Sequence, residues 1–285
     1  MALITVEELR DRIDDDGLRV VDVRFHLADP DRGRRSYDES HLPGAVFVDL
    51  HTELAAAGGA GEADAQGEGV DAGGGRHPLP AVAAFTTLLG TLGIERDTFV
   101  VAYDDLGGAI AARLWWMLRS IGHARVAVLD GGIQAWNAAG LATTDVVPTP
   151  TATAYPDTTG WTGVVTADEV AEEVAAGGVV ADARSADRYR GDHEPIDPRA
   201  GHIPGAVNHF HGDLLDASGH HRPTGDLARS LAPLGDAPIV YCGSGVTACH
   251  LLLGLAEAGV SGARLYPGSW SEWSSDPARP IATGP

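Results

Sequence analysis

The chain has 285 residues, of which 44% are hydrophobic, so it can bury one large core or two of ordinary size. Its formal net charge of −20 at pH 7 excludes the basic face that nucleic-acid binding requires. There is no apolar run long enough to cross a membrane as a helix, and two cysteines make neither a disulfide framework nor a metal-ligand pattern.

The N-terminus lacks the basic start and long apolar core of a signal peptide, so a reducing cytoplasm is the expected setting. Thr5 with Glu8 predicts a capping box opening a helix. The apolar Val20-Val21-Asp22-Val23-Arg24 predicts a buried strand, and His41-Leu42-Pro43-Gly44-Ala45-Val46 follows it. Residues 55–75 are low-complexity Ala, Gly, Glu and Asp, expected to be a mobile insertion. They run into Arg76-His77-Pro78-Leu79-Pro80, expected near the active cleft. Further on come a helix over Leu79 to Leu92, a strand at Val100 to Tyr103 and a helix over Ala109 to Ile121. Val128-Leu129-Asp130-Gly131-Gly132 with Trp136 completes the first half.

Residues 143–163, rich in Thr, Pro and Gly, read as a linker. After a helix over Ala167 to Ala176, the same landmarks return in the same order. Val180-Ala181-Asp182-Ala183-Arg184 repeats the first strand, and His202-Ile203-Pro204-Gly205-Ala206-Val207 repeats the segment after it. Pro238-Ile239-Val240-Tyr241 matches Val100 to Tyr103, and Leu265 to Gly268 with Trp273 matches Val128 to Gly132 with Trp136. The chain is therefore a tandem duplication, with domains at 1–142 and 164–285. Strands alternating with amphipathic helices place each copy in the α/β class, a parallel sheet flanked by helices on both faces. Ligands gather at the carboxyl ends of such strands.

The chemistry falls there in the second copy. Ile239 to Tyr241 reads as a strand and the run from Val246 as a buried helix, with Cys242, Gly243, Ser244 and Gly245 between them. A glycine-permitted turn can aim successive amides inward, and the helix N-terminus adds positive dipole character. Such a site stabilises an anion, and the thiolate is the nucleophilic form of cysteine. Ser244 and Thr247 add hydroxyls. A phosphatase-type loop would close with an arginine where this chain has Ala248, and no lysine completes a P-loop. What remains suits an anion smaller than phosphate, such as the outer sulfur of a persulfide. In the first copy Asp104 takes the cysteine's place, so that copy is expected to be non-catalytic.

Cys-Gly-Ser-Gly-Val-Thr-Ala at 242–248 resembles the active-site loop of the 3-mercaptopyruvate sulfurtransferases of the rhodanese superfamily. The resemblance covers nearly the whole chain. It implies two tandem rhodanese-like domains, the C-terminal one carrying sulfane sulfur from 3-mercaptopyruvate to a thiol or cyanide through a Cys242 persulfide. Catalytic roles then fall to Cys242, Ser244 and Thr247, and substrate contacts to the loop residues Gly243, Gly245 and Val246. Arg188 matches the family's substrate arginine, whereas Arg184 pairs with Arg24 of the first copy and reads as scaffold. A second family arginine follows a Glu-Pro pair; here Glu194-Pro195 is followed by Ile196, and Arg199 is the nearest substitute. His77 matches a histidine contributed across the cleft, but His51 stands where its acidic partner is expected.

The implied partners are a small-molecule sulfur donor and a thiol acceptor, a small thiol or thioredoxin, with no nucleic acid, membrane, organic cofactor or metal. His209, His211, His220 and His221 fit no tetrahedral metal signature. Cys249 reads as packing. Two alternatives stand beside this reading. One is a thiosulfate-using rhodanese, which favours basic residues after the cysteine. The other is a non-catalytic sulfur carrier or binding module.

Overall fold

The computed structural model describes residues 2–56 and 74–285, so the central part of the low-complexity insertion lies outside the described residues. Contacts divide the chain into two units. One comprises Met1–Leu54, Pro80–Thr162 and Ala217–His221; the other comprises Ala55–Leu79, Gly163–Asp216 and Arg222–Pro285.

In the first unit the order is β1 (Leu3–Ile4), α1 (Val6–Arg10), β2 (Leu18–Asp22), α2 (Arg32–Glu39), β3 (Val46–Phe47) and α3 (Val82–Thr91). It continues through β4 (Phe99–Tyr103), α4 (Ala111–Ser120), β5 (Val126–Leu129) and α5 (Gly132–Ala138). The strands form a parallel sheet in the order β1-β5-β4-β2-β3. One side of that sheet buries Leu9, Val20, Val101, Leu129 and Trp136 in a single cluster. The Thr5–Glu8 capping box forms as the spacing predicts. Helix α3 starts three residues later than its apolar run, because Pro80 and the extended Ala81 hold the chain out of helix until Val82.

The second unit repeats the plan with α6 (Ala167–Ala175), β6 (Val180–Asp182), α7 (Ala186–Arg190), β7 (Val207–Asn208) and α8 (Thr224–Leu231). β8 (Ile239–Tyr241), α9 (Thr247–Glu257), β9 (Arg264–Leu265) and α10 (Ser269–Ser275) follow. Its parallel sheet runs β7-β6-β8-β9, over a core of Val170, Val180, Ile239, Tyr241, Trp270 and Trp273. The fold is therefore α/β, with two parallel-sheet units, as the alternation predicts. No helix among the described residues is long and apolar enough to cross a membrane.

The repeated sequence landmarks are scaffold. At the end of β2, Arg24 donates to Asp22, and at the end of β6, Arg184 donates to Asp182, each at 2.6 Å between Nη2 and Oδ2. The His41 ring stacks on Tyr37 and the His202 ring on Tyr189, with centroids 4.0 and 3.8 Å apart. Each arginine also donates to the segment leading to the next strand, Arg24 to the Ser40 carbonyl and Arg184 to the Gly201 carbonyl.

Candidate active site

β8 lies in the middle of its sheet and is fully buried, so the residue after Tyr241 emerges at the carboxyl edge of the sheet. That residue is Cys242. The loop 242–246 then enters α9 at Thr247, whose first-turn amides have no acceptor inside the helix. Gly245 has φ +78°, and a Cβ there would stand 2.4 Å from the Pro267 carbonyl, so both backbone and space require glycine. Behind the loop, Cys242 N–H donates to Ser269 Oγ at 3.1 Å, while the amides of Trp270 and Ser271 donate to the Cys242 and Gly243 carbonyls. Ser269, the first residue of α10, holds φ +53°, a strained conformation for a residue with a side chain. The start of α10 thus fixes the loop from behind.

Cys242 is 2% exposed. The side chains of Arg76 and Arg188, beside Gly243, remain 21% and 18% exposed, so solvent reaches the loop on their side.

The first unit shows what this junction does with an anion. Asp104 directly follows β4, as Cys242 follows β8, and is wholly buried. Its carboxylate accepts four loop amides: Leu106 and Gly108 on Oδ1 at 2.9 and 2.8 Å, Ile110 and Ala111 on Oδ2 at 2.7 and 2.8 Å. In this strand–loop–helix corner the backbone therefore wraps a negative charge with inward-facing N–H groups.

Within the second unit, His77 Nδ1 lies 2.7 Å from Ser244 Oγ, and both residues are buried. The arm carrying His77 is fastened to α10: Gly74 N–H donates to Glu272, and Arg76 N–H to Ser271 Oγ at 3.0 Å. His51 belongs to the first unit, where its ring packs edge-on to Phe25.

Arg188, on α7, donates to Glu194 Oε1 at 2.7 Å and to Asp197 Oδ2 at 3.1 Å. Glu194 also receives Arg184 at 3.2 Å. Burial pushes the Glu194 carboxyl up, but its hydrogen bonds from Arg188 and from the Asp197 and Ile196 amides outweigh that and hold it below the ordinary carboxylate range. Asp197 in turn accepts Arg76 Nη1 on Oδ1 at 2.6 Å.

Arg199 is committed elsewhere, contrary to the expectation that it reaches the donor. Its guanidinium donates to the carbonyls of Trp273, Ser274, Asp276 and Arg279, closing the end of α10, where helix carbonyls lack intrahelical partners. Arg184 serves the scaffold, as its pairing with Arg24 implies. Thr247 and Val246 sit at the first position and the N-cap of α9. Cys249 is fully buried, its thiol 3.3 Å from the Gly245 carbonyl, as expected for packing. The four histidines separate: His211 pairs with His250 in the second unit, and His221 with Asp130 in the first. Among the described residues no three His, Cys, Asp or Glu side chains gather as metal ligands. Burial lowers His211 to about 4, so its imidazole is neutral at pH 7.

The sequence reading left Asp197 and Arg76 unassigned. Position beside His77 was the one available signal for Arg76, and nothing local marks Asp197.

The Rhodanese-like domain profile matches the chain twice, over residues 5–139 and 166–276. A probable 3-mercaptopyruvate sulfurtransferase from Pseudomonas aeruginosa is 42% identical over 99% of this chain and 98% of its own length. SseB of Mycobacterium tuberculosis, a putative thiosulfate sulfurtransferase, is also 42% identical, over 99% of this chain and 97% of its own. The 3-mercaptopyruvate sulfurtransferase from Leishmania major matches with a TM-score of 0.80 at 31% identity, covering 96% of this chain and 74% of that one. SseA from Escherichia coli, described among 3-mercaptopyruvate sulfotransferases, matches with a TM-score of 0.77 at 29% identity, covering 95% of this chain and 100% of that one. Two domain matches spanning most of the sequence, and full-length relatives named as sulfurtransferases, make this chain an enzyme of the tandem-domain rhodanese family, a sulfurtransferase.

Proposed function

We propose that the enzyme takes sulfane sulfur from 3-mercaptopyruvate and passes it to a thiol or to cyanide through a persulfide on Cys242. The observation that carries this reading is the Asp104 carboxylate wrapped by four amides at the position equivalent to Cys242. The first unit uses its own side chain as the anion; the proposed mechanism gives the amides of the cysteine corner the same task toward the sulfur that Cys242 acquires.

The Cys242 thiolate attacks the donor's thiol sulfur. The sulfur–sulfur bond forms as the carbon–sulfur bond breaks, and that electron pair leaves on pyruvate as its enolate. Ser244, with His77 behind it at 2.7 Å, passes a proton to the enolate carbon, and solvent restores it. Arg188 holds the donor carboxylate. The acceptor thiolate, from a small thiol or thioredoxin, then attacks the outer sulfur and takes it as its own persulfide, while cyanide takes it as thiocyanate. Either way Cys242 is regenerated, giving ping-pong kinetics.

Charge favours a singly charged donor. Beside Gly243, the guanidiniums of Arg76 and Arg188 meet the carboxylates of Glu194 and Asp197, so two positive charges balance two negative ones. A neutral cluster with part-exposed donors suits one carboxylate better than the thiosulfate dianion. Thiosulfate is the competing reading, and the Mycobacterium tuberculosis relative carries that name. Steady-state assays with both donors separate the two. The expected kcat/KM is at least about tenfold higher for 3-mercaptopyruvate, and Cys242→Ser abolishes turnover of either donor. A higher value for thiosulfate would overturn the donor assignment.

A further inference from the structure

The residue after Cys242 is Gly243. Gly243 is not among the positive-φ residues, so its conformation is open to other amino acids. What its Cβ position faces is two cations. A Cβ on Gly243 would stand 3.3 Å from Arg76 Nη2 and 3.4 and 3.6 Å from the two terminal nitrogens of Arg188. Two guanidiniums, distant in sequence, converge on the residue adjoining the nucleophile.

Their spacing is set by one buried carboxylate. The Asp197 side chain, 2% exposed, accepts Arg76 Nη1 on one oxygen and Arg188 Nη2 on the other. Arg76 keeps donors beyond that pair: its Nη2 points at Gly243, and its buried Nε has no hydrogen-bond partner among the described residues. The arm that presents it packs closely against the start of α10. Gly75 has φ +103° and lies so close to the Gly268 carbonyl that a Cβ would sit 2.5 Å from it. The same arm places His77 on Ser244, so adjacent residues serve the anion subsite and the proton relay.

We infer that Arg76 is a substrate-positioning residue, binding the donor's carboxylate together with Arg188 over Gly243, with Asp197 as the strut that spaces the two guanidiniums. This rests on the sulfurtransferase reading above. It adds to that reading a second cationic contact for the donor's carboxylate.

The test compares two donors on the full chain: 3-mercaptopyruvate, and mercaptoacetone, which has the same ketone and carbon–sulfur bond but a methyl group for the carboxylate. For Arg76→Gln, the loss in kcat/KM should be at least about tenfold larger on 3-mercaptopyruvate than on mercaptoacetone, and should appear mainly in KM. Competitive inhibition by pyruvate should weaken by a similar factor. Arg76→Lys keeps a cation for Asp197 but loses the second arm, so it carries the same comparison if the glutamine variant does not fold. Equal losses on both donors, with pyruvate inhibition unchanged, would mean that Arg76 only braces the arm, and the inference is overturned. Wild-type protein that releases no pyruvate from 3-mercaptopyruvate would instead remove the underlying donor reading, and this inference with it.

Discussion

In the proposed proton path Ser244 and His77 act as one unit. Their 2.7 Å contact joins a loop hydroxyl to a ring from a distant arm. His77→Ala and Ser244→Ala should each lower kcat on 3-mercaptopyruvate by about a hundredfold, and the double variant by little more than either alone. A double variant showing the product of the two losses would mean independent roles. At this scale the sequence was informative where chemistry is local. Cys242, Gly245 and Ser244 stand out as candidates by composition within a few residues, and Arg188 and His77 by their motifs, and their roles belong to the proposed mechanism. Arg199 misled because charge alone does not tell whether a guanidinium faces a substrate or a helix end; here the unpartnered carbonyls of α10 take it. Asp197 stayed invisible because its meaning lies in two arginines, one of them over a hundred positions away.

The element that matters is the strand–loop–helix corner, which occurs twice with different occupants. In the first unit the loop spans residues 104–110 and closes on Asp104; in the second it spans 242–246 and carries Cys242. Asp104→Ala leaves four inward amides without their acceptor in a buried site, which should cost about 3 kcal/mol or more of stability. Thermal unfolding should report it as a drop of several degrees, with Asp104→Asn falling between the two. An unchanged melting temperature would show that those amides are satisfied by water and that the corner has no particular affinity for anions. The corner's existence was legible from Gly-x-Gly between an apolar strand and an apolar helix. The helix starts were less so. Apolar periodicity runs through Leu79 to Leu92, while Pro80 delays α3 to Val82.

Across the whole chain, the duplication was readable because the repeated residues hold the scaffold together. Asp22 with Arg24 and Asp182 with Arg184 lock strand ends, and the His41 and His202 rings stack on tyrosines, so the same letters recur wherever the same joint is built. The charge of −20 argues against a nucleic-acid partner. The grouping of Ala55–Leu79 with the second unit was not readable, since it depends on contacts such as Gly74 with Glu272 that no local pattern encodes. Everything in the account depends on sulfur resting on Cys242 between two half-reactions. Intact-protein and peptide mass spectrometry after brief exposure to 3-mercaptopyruvate, with no acceptor present, tests this most directly. One added sulfur atom is expected, located on Cys242 and removed by cyanide; pyruvate release with no added sulfur, or sulfur found on Cys249 instead, would rule out a Cys242 persulfide.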